Sequence, residues 1–594
     1  MFPQQRGEKR VSVSEKIVKF AVGAHKGATL REMSKYIRIF VKNLNQYIDV
    51  EGGTTLLELA RNLYPASEGE PAPICALVNN KTEHLGFSVF APKMVEYLWP
   101  DSQSGQHVYI RSLCMILYVA VRHVDSTLRL RIEHSVSRGY YCRLFDPEGR
   151  LTVPSPEIVG EILAEMRRLV EADLPFERFE MLTSDVIDIF RAEGLDDKVK
   201  LLETVPELYT SFYRFAALAD SYYAPLAPSS GHISVFDIQP YHDGFLLLGP
   251  DKSDRAQAAS PVQQEKMFHA FTDHLEFNRI IRVGSVGELN CAVERNETSE
   301  LINVAEAMHA KLIGEIADRI AERRANGEAS IIMMAGPSSS GKTTTSKRLA
   351  IQLMTNLITP KLISLDDYFV DRHHTPRDEK GDYDYESLYA LDLEQFNADL
   401  KALLRGEEIN LPTYSFELGC RVEKPRPLRL DEHDVLVIEG IHGLNPELTS
   451  EIPAKDLFKV YVSALTTLSI DDHNWIPTSD NRLLRRIVRD YKYRHTSPED
   501  TIRRWPSVRA GEEKWIFPFQ ENADATFNSS LIFEIGVMKP FAEPLLQRVP
   551  HTAAEYTQAY RLLRFLHLFK SIPGEQVPST SLLREFLGGS SFHY

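Results

Sequence analysis

The sequence predicts a multidomain chain, with α+β modules in its first half and a C-terminal α/β domain whose parallel sheet is flanked by helices. Three observations predict it. At 594 residues the chain is too long for one hydrophobic core, so three to five domains are expected. Strand-like and helical patterns alternate through the first 250 residues with no repeat of solenoid length. The run Ile331-Ile332-Met333-Met334-Ala335 is continuously apolar, as a buried parallel strand is, and strands then alternate with helices to about residue 540.

Taken in order, residues 36–105 hold the strand-like runs IRIFV and YIDV, the helical TTLLELARNLY with Thr54 or Thr55 as its cap, and a further strand in ICALVNN. Residues 106–250 form a second α+β region. Its stretch PEIVGEILAEMRRLVEADL carries apolar residues at three- and four-residue spacing, and PLAPSSGHISVFDIQPY is a turn-rich segment ending in a strand. Residues 251–328 are a helical connector whose apolar stripe must pack on something, 329–540 the α/β domain, and 541–594 a helical tail.

A net charge of −15 argues against a protein that coats DNA or RNA, since such proteins concentrate positive charge. The five cysteines show no CxxC spacing and read as reduced thiols, not a zinc site or disulfide frame. The opening MFPQQRGEKRVSVSEK has no apolar core of a secretory signal, and no apolar run approaches the roughly 20 residues of a membrane span, so a soluble, cytoplasmic protein is expected.

The most specific feature is Gly336-Pro337-Ser338-Ser339-Ser340-Gly341-Lys342-Thr343, a GxxxxGK[ST] phosphate loop between a strand and a helix that continues with Thr344. Backbone N–H groups and the helix N-terminus there face phosphates. Lys342 neutralises β- and γ-phosphate charge, and the Thr343 hydroxyl joins a magnesium shell. ATP with Mg²⁺ is the expected ligand pair. Two further strands end in acids, DVLVIEG at Glu439 and LISLDDY at Asp366 and Asp367, placing carboxylates at the ligand-binding edge of a parallel sheet. Such an acid can accept a proton from an attacking hydroxyl or hold metal, and Glu439 is the expected second metal-linked residue. Arg482, Arg485, Arg486 and Arg489 share one helix face, with Arg494 beyond. That face is either solvated or a lid closing arginines over the transferring phosphoryl group.

The span from about 331 to 535 resembles the uridine–cytidine kinase and phosphoribulokinase group, through GPSSSGKTT, ISLDDYF, YDYESLYALD, LPTYSF, VIEG and RLLRRIVRD. The resemblance implies that Asp366 activates an acceptor hydroxyl, that Asp384 and Tyr383 hold a ribose, and that Tyr414 lies against a base. It further implies that Arg486 and Arg489, with Arg494, serve the phosphoryl group. The chain departs from the uridine–cytidine pattern where Gly419 stands in place of a base-reading histidine. It departs again at Thr496 and Arg504, and in the stretches DDHNWIPTSD and WPSVRAGEEKWIFPF.

The first half resembles the front of threonyl-tRNA synthetases: residues 36–105 the small TGS module of β-grasp type, and 106–250 the editing-type domain, through GYYCRLFDPEGRLT and ADSYYAPLAPSSG. Where an editing site has histidine and cysteine ligands, this chain has Ser112, Ile116, Tyr222 and Leu226, so neither zinc nor editing hydrolysis is expected. The expectation is a kinase moving the γ-phosphoryl group of ATP to a hydroxyl of a nucleoside or related small molecule. A phosphoribulokinase-like sugar kinase and an RNA- or ribosome-associated P-loop regulator are the alternatives. DNA and membrane partners are not expected, RNA is disfavoured, and a homo-oligomer is left open.

Overall fold

The computed structural model describes residues 35–65, 71–378, 381–415 and 417–593; the N-terminal stretch read against a secretory signal lies outside them. A five-stranded sheet forms first, ordered Gln46–Glu51, Tyr36–Val41, Met94–Leu98, Cys75–Val78, Lys81–Glu83, with one parallel pair between Tyr36–Val41 and Met94–Leu98. The helix Leu56–Leu63 packs on it. Thr55 caps that helix in a reciprocal capping box with Glu58, which satisfies two of the N–H groups a helix start leaves open.

The second region is built around the helix Gln103–Val124, in which every residue from Arg111 to Val121 is buried. A helix apolar on all sides needs cover on all sides. Here the helix Pro156–Glu171, a three-stranded sheet led by Tyr209–Phe215 and a five-stranded sheet led by Gly139–Phe145 share one core with it. This long helix starts at Gln103, so the boundary expected at 105/106 falls within its first turn.

The α/β domain has a five-stranded, all-parallel sheet in the order Thr359–Ser364, Asp434–Glu439, Ile331–Ala335, Leu457–Ser463, Ala525–Asn528. Its central strand, Ile331–Ala335, is buried throughout, as its unbroken apolar run requires. One sheet face packs on the segments expected to be a connector and a tail. Ile313 and Ile320 of the helix Thr298–Ala325, Leu562 and Phe565 of the helix Tyr556–His567, and Leu582 and Phe586 near the C-terminus join Ile332 and Met334 in one core. The helix Glu534–Leu546 runs straight through the expected boundary at 540/541. Connector, α/β domain and tail are thus one packed body, because the connector's apolar stripe found its partner in this sheet.

The unusual stretch DDHNW is where the two halves lock. Lys198 Nζ lies 2.8 Å from both Asp220 and Asp471 and 3.1 Å from the Ser221 carbonyl, and His473 Nδ1 lies 2.8 Å from Asp220. All four side chains are buried. Burial opposes ionisation of Asp220, but the Lys198 ammonium and His473 outweigh it and hold its carboxyl well below the usual range. A buried charge missing one partner costs about 3–5 kcal/mol, so this network specifies how the halves fit.

Candidate active site

The phosphate loop leaves the strand Ile331–Ala335 and enters the helix Lys342–Thr355. Gly341 is the helix cap, at φ +85°, and a Cβ there would lie 2.6 Å from the Leu582 side chain. Ser339 also takes a left-handed backbone, φ +58°, which turns successive N–H groups into one concavity. Ser339 and Ser340 are buried, and their hydroxyls have no hydrogen-bond partner among the described residues. A loop with strained backbone and orphaned buried hydroxyls is built for an anion. This fits the nucleotide that the motif implies.

Around the loop the predicted residues converge. Lys342 Nζ donates to the Pro337 carbonyl at 3.2 Å and feels the charges of Glu439, Asp366 and Glu585, while burial holds its ammonium below the usual range. The Thr343 carbonyl accepts the Ser346 hydroxyl at 2.8 Å within the first turn of the helix. Ser364 ties the two acidic strand ends together: its hydroxyl donates to Glu439 at 3.1 Å and accepts the Asp366 N–H at 3.3 Å. Loss of hydration first, then the charge of Asp366 on Glu439 and of Asp367 on Asp366, raise both carboxyls above the usual carboxylate range, Lys342 opposing. Asp367 is engaged elsewhere, 2.7 Å from Arg426, which leaves Asp366 as the open acid.

The arginine helix, Thr478–Arg494, is not a solvated face, since Arg482 and Arg485 are buried and Arg486 and Arg489 nearly so, which corrects that alternative. Leu483, Leu484 and Ile487 anchor it in the core, and Arg482 and Arg485 are buried. Arg482 donates to the Ser338 carbonyl at 2.9 Å and pairs with Glu512, which itself accepts the Ser338 N–H at 2.9 Å. Arg485 pairs with Glu534 at 2.5 Å. These two arginines are struts under the phosphate loop. Arg486 donates to the Ser338 hydroxyl at 2.6 Å. Arg489 and Arg494 pair with Asp490 at 2.8 and 3.6 Å, and both act on the charge of Asp366. The helix presents a cationic wall to Asp366.

On the acceptor side, Asp384 accepts the Glu386 N–H at 3.1 Å, and the Tyr383 ring lies under the Arg377 guanidinium, 4.3 Å away. Tyr414 is buried in the core under this side, tilted against Phe369 at 5.6 Å between centroids, so it forms part of a wall and not an open stacking platform. Phe416 of the LPTYSF segment lies outside the described residues. Gly419 has φ +70°, and a Cβ there would sit 2.6 Å from the Arg372 guanidinium carbon. Arg372 fills the space a side chain at 419 would need.

Four residues of the site were not singled out from the sequence, although Glu386 lies within the YDYESLYALD segment. Glu386 faces Lys342, Asp366 and Arg486. Burial first, then Glu512, push its carboxyl up to about 7. His442 follows Glu439 by three residues, is buried, and is held neutral by burial, down to about 4. Glu512 comes from the stretch WPSVRAGEEKWIFPF and accepts the Ser338 N–H of the phosphate loop. Glu585 comes from the tail: its carboxylate accepts the Thr344 N–H at 3.2 Å and the Thr344 hydroxyl at 2.7 Å. An acid at a helix N-terminus satisfies the same groups a phosphate would.

The sequence profile of the Phosphoribulokinase / Uridine kinase family matches residues 331–532. A uridine kinase of Brevibacillus brevis is 31% identical over 199 residues, covering 33% of this chain and 84% of that enzyme. The chain belongs to this family. The α/β region is therefore a P-loop kinase domain. A threonine–tRNA ligase of Carboxydothermus hydrogenoformans is 29% identical over 234 residues, 39% of this chain, and the chain spans 36% of that ligase's length. A solved Bacillus stearothermophilus structure, a "Possible Uridine Kinase", covers 34% of this chain and 89% of its own at 20% identity and a TM-score of 0.23. No helix among the described residues of the kinase is long and apolar enough to cross a membrane.

The ligase likeness accords with the fold of the first half, but its site residues differ from a metal-ligating set. Ser112, Ile116, Tyr222 and Leu226 are all buried, and the Ser112 hydroxyl is spent on the Val108 carbonyl and the Ala227 N–H, 2.8 Å each. None of the four offers an imidazole or thiolate.

Proposed function

We propose that the chain is an ATP- and magnesium-dependent kinase that phosphorylates a hydroxyl of a nucleoside or related polyhydroxyl compound. The carrying observation is the open carboxylate of Asp366, set between Lys342 of the phosphate loop and the Arg489–Arg494 wall, with Asp384 on the acceptor side. Asp366 takes the proton of the acceptor hydroxyl as its oxygen bonds to the γ-phosphorus and the bond to the β-phosphate oxygen breaks. Lys342 and Arg489 hold the charge that develops on the transferring group, and Arg486 and Arg494 complete that cationic wall. Residues 336–344 cradle the phosphates. Thr343 and Glu439 would hold magnesium, which supplies charge against the phosphate oxygens. Tyr383 and Asp384 would hold the acceptor's paired hydroxyls, with Tyr414 behind them.

The domain reading goes with this proposal: a TGS-like module over 36–105 and an editing-like module without zinc ligands over 106–250, ahead of a kinase domain that starts near 329 and packs with the connector before it. A second acceptor class is favoured by one observation. Arg372 occupies the space above Gly419, and a guanidinium suits an anionic acceptor such as a sugar phosphate, in the manner of a phosphoribulokinase. An ATP-consumption screen over nucleosides, free sugars and sugar phosphates, with Asp366→Asn as control, tests both. The kinase reading fails if no acceptor stimulates turnover and Asp366→Asn leaves ATP use unchanged.

A further inference from the structure

A second cleft, of about 340 Å³, lies in the synthetase-like half. Parts distant in sequence build it: the strand Lys81–Glu83, the first half of the helix Gln103–Val124, the strands Glu177–Leu182 and Tyr209–Phe215, the turn 222–225 and the C-terminal helix Tyr556–His567. Tyr213, Tyr222, Tyr223 and Tyr560 stand in its walls between charged side chains.

Arg111 also lines the cleft. It is only 7% exposed, yet among the described residues it makes no ion pair and no hydrogen bond; its guanidinium carbon lies 4.9 Å from the centre of the Tyr223 ring. The other cations of the lining are satisfied. Arg561 grips Asp480 through both terminal nitrogens at 2.6 Å, Arg178 meets Glu180 at 3.1 Å, and Arg564 faces Glu207 at 3.7 Å. One turn before Arg111, His107 is held neutral, down to about 3, by burial and then by the charges of Arg561 and Arg111. Glu83, the remaining acid, makes no ion pair among the described residues, and burial raises its carboxyl. No acid of the cleft pairs with Arg111 among the described residues, so a nearly buried guanidinium is left facing the cleft without a protein partner, at a cost that folding alone does not explain.

We propose that this cleft is a binding site for a small organic anion carrying a planar ring, its anionic group seated on Arg111 and its ring against the tyrosines. A planar guanidinium pairs with a carboxylate or phosphate through two parallel hydrogen bonds, and aromatic faces take a flat ring. The site is independent of the phosphate loop and of the proposed acceptor.

The experiment uses the full chain carrying Lys342→Met, which disables the phosphate loop. Calorimetry and thermal shift are run with uridine 5′-monophosphate and 4-hydroxybenzoate, the two arms that separate a phosphate from a carboxylate head, and with uridine and inorganic phosphate as the separate halves. At least one ringed anion is expected to bind, with either half alone at least tenfold weaker. Arg111→Met is expected to weaken that binding at least tenfold, and Arg111→Lys less. Ligand-free Arg111→Met is expected to melt above its parent, because it sheds an uncompensated charge; a purely structural arginine would lower the melting temperature instead. The proposal is overturned if neither ringed anion binds better than uridine, if binding survives Arg111→Met, or if ligand-free Arg111→Met melts below its parent.

Discussion

Replacing Glu585 by glutamine is expected to tighten ATP binding. In the ligand-free fold this carboxylate holds the Thr344 N–H at 3.2 Å and the Thr344 hydroxyl at 2.7 Å, at the first turn of the phosphate-loop helix. A nucleotide phosphate seated on that turn needs the same donors, so Glu585 must yield them. Hydrogen bonds to a charged group contribute about 1.5–3 kcal/mol and neutral ones about 0.5–1.5. Exchanging carboxylate for amide therefore removes roughly 1–2 kcal/mol of competition, a fall in Kd of roughly 5- to 30-fold. The variant keeps the size of the side chain and leaves the Leu582 and Phe586 packing beside it untouched. Calorimetric titration with ATP, in an Asp366→Asn background that prevents turnover, reads the effect directly. An unchanged or weaker affinity in a variant that melts with its parent would refute the competition argument.

Asp366→Asn is expected to lower kcat by about 10²–10⁴-fold with ATP affinity retained, the range of general-base losses; steady-state kinetics decide, and a loss under tenfold removes Asp366 from the proposed role. Arg372→Ala is expected to raise KM for the acceptor several-fold without moving KM for ATP, and an effect on ATP alone would place Arg372 outside the acceptor side. Lys198→Met should cost about 3–5 kcal/mol by removing the one ammonium shared by Asp220 and Asp471 and leaving two buried carboxylates with only hydrogen-bond partners and His473, read by denaturant unfolding. Because the Asp220 carboxyl is depressed in the folded state, its contribution is complete above its unfolded value of about 3.9 and is lost as pH falls through the lower folded value. Lys198→Met should therefore steepen no further in acid where the parent protein does. Glu386 has the opposite sign: with its folded pKa raised to about 7, stability falls as pH rises from about 4.3 to 7. Glu386→Gln should thus stabilise the chain at pH 8 and leave it unchanged at pH 4, as thermal melts would show.

The local features were legible in the sequence because each depends on a few neighbouring residues. The phosphate loop, the Thr55 cap, the apolar central strand and the acids at 366 and 439 follow from spacing, periodicity and backbone chemistry alone. Residue type also showed that Ser112, Ile116, Tyr222 and Leu226 could not form a metal site. What the tertiary structure decided was partnership. Spacing placed the arginines of the helix Thr478–Arg494 on one face, but only packing made Arg482 and Arg485 buried struts and left Arg489 and Arg494 beside Asp366. Glu585 stands 241 residues from Thr344, and Lys198 273 from Asp471; no periodicity reaches across such gaps. Whether a charge is a solvated surface group, a strut or a ligand depends on what surrounds it, and those surroundings exist only once the chain is folded.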